Sequence, residues 1–335
     1  MPNPLEINDA ADLIDLSIQN IWLKGSGEES KIYEGFYNTE AGVTDYLTKD
    51  SSLSGLGYAG RVVENAAITS QSPVQGYEQT YTQVQFGVVL SFTKMMWMFG
   101  IKKRNLEQIT SEARKACSDL RELRLHERLD NAFSASYNVN DISGNYLVTN
   151  TGGDGIRLCS NAHTREDGGT NWNNVVYDGT TYSMDFEYDA IKAAHRTASL
   201  IRNPQGKPMN INLDTLVVTK GSAIHHRAVE ILGAFRKGWM PATADHDSQG
   251  VPDYKIIATP WRTSNTGYWF MLDSKMKGPR YGLQYKEAQP ISLEGPNIVF
   301  KTKEIQYSST MIFDYGFNDA RCLVGSANDN TTTGS

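Results

Sequence analysis

The most restrictive feature of the sequence is a long strand pattern that is followed directly by a long helix pattern. Within Thr80 to Thr93, apolar side chains recur at every second position from Val84 to Phe92, which predicts a strand with one buried face. The apolar positions are Val84, Phe86, Val88, Leu90 and Phe92. Most strands contain about five or six residues, so a strand of this length is unusual for a self-contained domain.

The helix pattern covers residues 103–136. Small or apolar residues recur there at steps of three and four up to Leu123, the stripe then shifts to begin again at Leu125, and no glycine or proline interrupts it. These positions include Leu106, Ile109, Ala113, Ala116, Leu120, Leu123, Leu125, Leu129, Ala132 and Phe133. At about 1.5 Å per residue the predicted helix is about 50 Å long. Neither the strand nor the helix has enough sequence around it to bury itself, which indicates a subunit that packs against neighbours.

Composition limits the classes of protein to which the chain can belong. It has 335 residues, 39% of them hydrophobic, and can bury a substantial core as two domains or one elaborated domain. A net charge of -6 without a concentrated basic patch argues against a dedicated nucleic-acid-binding protein. The acidic first 19 residues do not resemble a secretory signal, and no apolar segment is long enough to span a bilayer. The odd number of cysteines (Cys117, Cys159 and Cys322) predicts reduced, buried thiols.

The residues before the helix predict extended segments that need a surface to lie on. A helical start from Ala10 to Leu23 leads into an aromatic arm from Tyr33 to Tyr46. Residues 51–76 are rich in Ser, Gly and Asn and return through a turn to the long strand, which predicts a protruding hairpin. An isolated two-stranded hairpin is only marginally stable in water, so contact with another chain is expected to stabilise it.

Residues 183–285 predict an α+β domain in which helices pack against a sheet. Predicted helices cover 186–201 and 223–235, and predicted strands cover 213–219, 254–259 and 268–272. Two more strands, 297–306 and 310–315, are predicted after this range. The apolar run at 213–219 is typical of a strand that is buried on both faces. The polar tail, 326–335, is predicted to be exposed at the surface.

Three patterns resemble sites of chemistry, and a structural explanation is favoured for each. Gly55-Leu-Gly57-Tyr-Ala-Gly60 matches the dinucleotide fingerprint, but it neither follows a buried strand nor opens a helix. Cys159 and His163 have the spacing of half a zinc site without a second pair. The third pattern is the polar loop that contains Asp245, His246, Asp247 and Asp253, whose adjacent residues rarely point at one cation. We therefore predict no catalytic residue, no cofactor and no metal site.

The order of elements resembles that of the major capsid proteins of tailed bacteriophages, which share the HK97-like fold, and the sequence looks most like the Mu-like head subunits. The resemblance covers nearly the whole chain. Gly76-Tyr-Glu-Gln-Thr-Tyr-Thr-Gln-Val-Gln-Phe-Gly87 is similar to the returning strand of the family's E-loop. Leu158-Cys-Ser-Asn-Ala-His163 is similar to a peripheral-domain loop, and Leu213-Asp-Thr-Leu-Val-Val218 is similar to the axial-domain core.

This resemblance implies an α+β fold with an N-terminal arm (1–49), an extended β-hairpin E-loop (50–99), a peripheral domain (100–182 and 286–335) with the spine helix (103–136), and an axial domain (183–285). It implies a structural protein that assembles into hexamers and pentamers of an icosahedral shell around packaged phage dsDNA. The implied partners are copies of itself, a portal, a separate scaffolding protein and a decoration protein, with no membrane. Assembly is expected in the host bacterial cytoplasm, and the mature location is the virion.

The resemblance also implies which residues meet other subunits. The aromatic arm is expected under a neighbour, the hairpin over an adjacent subunit, and the loop 240–253 near the centre of a hexamer or pentamer. The interface residues are predicted to be Tyr33, Phe36, Tyr37, Arg61, Glu64, Tyr77, Tyr81, Met240, Asp245 and His246.

Two departures from the family are visible in the sequence. Some relatives join their subunits through an isopeptide bond from an E-loop lysine, but no lysine lies between Lys49 and Lys94, so we predict no such crosslink. The chain also lacks the long charged N-terminal helix of relatives with a fused scaffold, so an intact N-terminus is expected. The bend between hexamer and pentamer forms is expected between the E-loop and the spine helix, near 99–103, where Gly100 relaxes the backbone.

Two alternative functions remain open at the level of sequence. An encapsulin-like compartment shell would share the fold but package enzymes instead of DNA. A nucleotide- or metal-dependent enzyme would use the loop at 55–60 and the cluster at 245–253.

Overall fold

A computed structural model describes most of the chain. The described residues are 18–23, 29–53, 56, 58–62, 64, 67–68, 70–73, 75–93, 103–142, 144–236, 254–299, 301–302 and 304–331. The strands are β1 (Tyr37–Ala41), β2 (Leu47–Leu53), β3 (Gln75–Thr82), β4 (Val84–Thr93), β5 (Ser136–Asp141), β6 (Gly144–Thr149), β7 (Thr215–Thr219), β8 (Lys255–Thr259), β9 (Trp269–Leu272), β10 (Leu283–Val299), β11 (Glu304–Phe317) and β12 (Leu323–Ser326). The helices are α1 (Lys103–Asp130), α2 (Tyr188–Leu200) and α3 (Ala223–Arg236), with a single 3-10 turn at Ile32–Gly35 and further helical residues at 18–23.

The first sheet has the strand order β1-β10-β11-β4 and supports the long helix. β10 and β11 are 17 and 14 residues long, and β4 pairs with β11 without a register shift. Helix α1 lies against this sheet, where the Cys117 Sγ is 3.1 Å from the Ser309 Oγ. As the alternation predicts, Phe92 is buried and Phe86, Val88 and Leu90 are half-buried, but Val84, predicted on the same face, is exposed.

The second sheet has the order β12-β9-β7-β8 and carries α2 and α3. Every residue of β7 is buried, which confirms the prediction of a strand covered on both faces. The predicted helices at 186–201 and 223–235 are also confirmed as α2 and α3. β12 lies outside the range predicted for the axial domain, yet it pairs with β9 and completes this sheet.

Several predicted elements differ from the structure. The long strand predicted at 80–93 is broken at Gln83: β3 before it pairs with β2, whereas β4 after it pairs with β11. The helix predicted to reach 136 ends at Asp130, because that residue is held by the loop after β8. The strand predicted at 297–306 is the end of β10, a turn at 301–302 and the start of β11.

The tail is more ordered than its polarity predicts. Ser326 is fully buried, and the side-chain oxygens of Asn328 and Asn330 accept hydrogen bonds from the backbone N–H groups of Phe186 and Asp185 at 3.0 Å. Polar side chains therefore hold the tail as far as residue 331. The prediction of an exposed tail is wrong for Ser326, whereas Asp329 and Asn330 are exposed as predicted. All three cysteines are buried and free, as expected. Within the described residues, no helix is both long and apolar enough to cross a membrane.

Candidate assembly arm

β2 and β3 form an antiparallel two-stranded arm that is separate from both larger sheets. The described residues between the two strands are exposed. Apolar side chains more than half exposed on this arm and beside it are Tyr46, Leu47, Leu56, Tyr58, Val62 and Ile68. Ile68 reaches 77% exposure. An apolar set of this kind on a protruding segment is typical of an interaction surface.

The root of the arm is tied to the end of β11 and the residue after it by hydrogen bonds between their side chains and the backbone of the arm. The Thr82 N–H donates to the Asp314 carboxylate at 2.7 Å. The Asn318 side-chain amide donates to the carbonyls of Asp50 and Tyr77 at 3.3 and 3.2 Å, so one side chain holds both strands. The Tyr77 hydroxyl lies 2.7 Å from the Thr164 hydroxyl. The arm thus leaves the body of the subunit at a defined place.

A buried lysine joins the arm to the first sheet. The Lys286 Nζ on β10 lies 2.8 Å from the Glu40 Oε2 on β1 and 2.8 Å from the Asp50 Oδ1 on β2. It also lies 5.0 Å from the centre of the Tyr81 ring on β3. Burial lowers the pKa of Lys286, but the hydrogen bonds and charges of the two carboxylates outweigh it and leave the pKa above its ordinary value.

The Tyr81 ring is packed at the same root. Its side chain is 1% exposed, and it rests on Gly316, where a Cβ would come within 2.9 Å of the ring. Burial raises the pKa of the Tyr81 hydroxyl far above its ordinary range. Glycine at 316 is therefore required by the close approach of the ring.

The aromatic N-terminal segment crosses α1 and is buried within the same chain. Tyr33, Phe36 and Tyr37 are at most 4% exposed. The Tyr37 hydroxyl donates to the Leu125 carbonyl at 2.9 Å, and the Phe36 ring meets the His126 ring edge-on at 5.0 Å. α1 and β10 of their own chain cover these rings, and their predicted place under a neighbouring subunit stays a prediction.

Charged groups hold the same segment on the helix. Glu29 pairs with Arg121 at 3.2 Å and with Arg114, whose Nε lies 2.8 Å away. The Glu122 Oε1 accepts hydrogen bonds from the Ser30 hydroxyl at 3.0 Å and the Ile32 N–H at 2.7 Å. The segment is thus a strap fixed to the long helix by ion pairs and hydrogen bonds.

The remaining predicted interface residues fall in three places. Arg61 and Glu64 are exposed on the arm between β2 and β3, where they are free to meet another subunit. Tyr77 and Tyr81 lie at the root, and Tyr81 is covered by its own chain. Met240, Asp245 and His246 lie outside the described residues. The assignment of exposed arm residues to a subunit interface stays a prediction.

The patterns that resembled chemistry do not form a site in the described residues. Residues 56 and 58–62 of the glycine-rich loop have neither helix nor strand structure, and Asp245, Asp247 and Asp253 are outside the described part of the chain. The His163 ring stacks on Trp172 at 4.3 Å and bonds to Asp154 at 2.7 Å, while burial strongly raises the pKa of the Cys159 thiol. No group of three His, Cys, Asp or Glu side chains that could hold a metal occurs in the described residues.

Sequence reasoning missed the charged residues at the arm root. Lys286 is separated from Glu40 by 246 positions and from Asp50 by 236. The only signal in the sequence is a lysine between Tyr285 and Glu287 at the start of a strand, which does not identify its partners. The contacts of Asn318 and Asp314 are equally remote in sequence.

Comparison with known proteins identifies the fold. No family model matches the chain, and no curated protein matches it. Among solved structures, it is similar to the capsid of an empty GTA particle (TM-score 0.52, 11% identity, 88% of this chain and 89% of that one). It is similar to a chain of Mycobacterium phage Adephagia (0.50, 13%, 91% and 92%) and to the capsid of the cyanophage P-SCSP1u (0.50, 11%, 89% and 88%).

At these identities the similarity establishes the fold. The chain has the α+β HK97-like capsid fold, which confirms the predicted fold class. The matches extend over about nine-tenths of both chains.

Proposed function

We propose that the chain is the major capsid (head) protein of a tailed bacteriophage. In this function, hexamers and pentamers of the chain form an icosahedral shell that encloses packaged dsDNA. The observation that carries the proposal is the shared fold over nearly the full length of a GTA-particle capsid and a cyanophage capsid. The role is structural, and the work of the protein is done by repeated contacts between identical subunits.

The exposed arm supports assembly as the function. It is anchored at its root by Asn318 and Lys286, yet it presents Leu56, Tyr58 and Ile68 to solvent. A second copy of the chain would remove this apolar surface from water, which stabilises the contact. Many modest contacts of this kind, repeated around a closed shell, give a stable particle.

The finer assignments rest on the sequence resemblance. We place the chain nearest to the Mu-like head subunits, with a separate scaffolding protein, a portal and a decoration protein as partners. Assembly takes place in the host bacterial cytoplasm and the product is the virion head. No enzymatic activity is part of the proposed role.

Negative-stain electron microscopy of the purified protein, expressed alone and with its neighbouring open reading frames, tests the proposal. Closed shells, tubes or capsomers are expected, and shells from the co-expression should contain nuclease-protected DNA. Shells filled with a cellular enzyme instead would favour an encapsulin-like compartment. Monodisperse monomers in both preparations would contradict an assembly function.

Denaturing electrophoresis of the particles tests the absence of covalent joining. Because no lysine lies between Lys49 and Lys94, the particles should dissociate into a single band at the mass of one chain. A ladder of multiples would contradict this expectation.

A further inference from the structure

The arm root combines a charged triad with six buried polar atoms that lack hydrogen-bond partners among the described residues. The triad is Lys286 with Glu40 and Asp50, and the lysine side chain is only 3% exposed. Buried polar atoms near it have no hydrogen-bond partner among the described residues. They are the Thr48 Oγ1, the Asp50 Oδ2, the Tyr81 hydroxyl, both side-chain amide atoms of Gln83 and the Asn318 Oδ1.

The closed arrangement of the arm root is less strongly stabilised than an apolar core would be. A buried polar atom without a partner costs roughly 1–3 kcal/mol, and a partly satisfied polar network can be less stable than an apolar one. Water would satisfy these atoms if the root opened. The closed root is therefore stabilised mainly by the charge pairing, the Tyr81 ring and the hydrogen bonds of Asn318, Asp314 and Tyr77.

The ion pair between Lys286 and Asp50 favours the closed arrangement of the arm root. Asp50 belongs to the arm, whereas Lys286 and Glu40 belong to the first sheet, so the 2.8 Å contact from Lys286 to Asp50 spans the joint directly. The arm ends at Gln83, the residue at which pairing passes from β2–β3 to β4–β11. The Gln83 N–H donates to the Tyr46 carbonyl at 3.0 Å, which closes the base of the arm.

We propose that Lys286 is a charge latch that fixes the direction of the arm on the first sheet, with Gln83 as the pivot about which the arm swings when the latch is released. The latch is a property of the single subunit. Its consequence for assembly rests on the proposed function: an arm of fixed direction selects how the next subunit is met.

Hydrogen exchange of the unassembled subunit tests the latch. Lys286→Met removes the cation and leaves the Asp50 carboxylate unpaired, which favours an open arm root in which water hydrates the carboxylate. The amides of β2 and β3 should therefore exchange at least roughly tenfold faster than in the wild type. The amides of β10 and β11 should keep their protection, which shows that the sheet remains folded. Lys49→Met is the matched control, because Lys49 pairs with Glu78 on the same arm at 2.6 Å with both side chains substantially exposed. It should stay within about twofold of the wild type.

Asp50→Asn keeps the proposal testable if Lys286→Met does not fold. The amide retains an acceptor for Lys286 but removes the charge on the arm, so β2 and β3 should exchange faster than in the wild type and more slowly than in Lys286→Met. Arm exchange unchanged from the wild type in a folded Lys286→Met or Asp50→Asn subunit overturns the latch.

Electron microscopy of the same variants separates the latch from the proposed function. If the arm is released, shells of altered or mixed diameter are expected from Lys286→Met and normal shells from Lys49→Met. A different result is that the wild type forms no shells while the arm of Lys286→Met still exchanges faster than the wild-type arm. That result would support the latch and contradict the capsid function.

Discussion

Asp130 is the last residue of α1, and its buried carboxylate holds the loop that follows β8. The Arg262 Nε donates to the Asp130 Oδ1 at 2.9 Å, and the backbone N–H groups of Thr263 and Ser264 donate to the Oδ2. Burial lowers the pKa of Arg262 and raises that of Asp130, and their mutual attraction opposes both shifts. A single residue thus joins the helix of the first sheet to the loop of the second.

Removing the arginine should destabilise the subunit strongly. Arg262→Met leaves Asp130 without its cation, and breaking a buried pair in this way costs about 3–5 kcal/mol. Urea denaturation of the unassembled subunit measures this loss in the free energy of unfolding. Arg227→Met is the control, because Arg227 forms an exposed pair with Glu187, and its free energy of unfolding should be nearly unchanged. Equal effects from the two variants would contradict the role of Asp130.

His126 should make the subunit sensitive to acid. Burial lowers its pKa from 6.5 to about 4, so the unfolded chain takes up a proton between these values and the folded chain does not. Its contribution to stability is therefore complete above pH 6.5 and is lost as the pH falls to about 4, by roughly 3 kcal/mol in total. Burial raises the pKa of Glu122, so its protonation as the pH falls stabilises the folded chain and offsets part of this loss. The positive charge of Arg262 further disfavours the imidazolium of His126.

His126→Asn isolates this effect. The His126 Nδ1 lies 2.7 Å from the Glu122 carbonyl, and the asparagine amide can replace this hydrogen bond without titrating. Between pH 6.5 and pH 4 the free energy of unfolding, from urea denaturation, should fall less in the variant than in the wild type. Parallel curves for the two proteins would show that His126 does not govern the acid response.

At the scale of elements, the arm carries several apolar side chains that its own chain leaves exposed. Replacing Leu56, Tyr58, Val62 and Ile68 together by serine should leave the subunit folded, because all four side chains are exposed. Assembly should fail, since the contact between copies loses most of its apolar area. The measurement is sedimentation velocity, with circular dichroism as the test of folding. Replacing the exposed Val229 by serine on α3 is a control outside the arm and should leave assembly unchanged. Normal shells from the fourfold variant would contradict the role of the arm.

Local sequence patterns predict elements whose boundaries are set locally. α2, α3 and β7 follow from periodicity, because each buries a face or a whole strand in one core. The break at Gln83 does not follow from the pattern, since the alternation continues through it. It depends on Tyr46 and Asp314, which meet residues 82 and 83 only in the folded chain. The Lys286 triad cannot be predicted from local patterns for the same reason, because its partners are remote in sequence. The aromatic pattern predicts that Tyr33 and Phe36 are buried, but it does not distinguish burial against their own helix from burial under a neighbour.

At the scale of the whole molecule, two sheets joined by the long helix form a body from which one apolar arm extends. Buried charges in the body are paired within the chain, as the ion pairs of Arg262 and Arg121 show. The exposed apolar side chains of the arm, in contrast, are not covered by the rest of the chain. This asymmetry, in the HK97-like capsid fold, is the physical basis for proposing a shell subunit.

A cryo-electron microscopy reconstruction of particles formed by the purified protein tests this account most directly. The account predicts a closed icosahedral shell in which the arm of each subunit, including Tyr58 and Ile68, is buried against a neighbouring copy. Particles in which these side chains face solvent, or a protein that forms no particles, would contradict it.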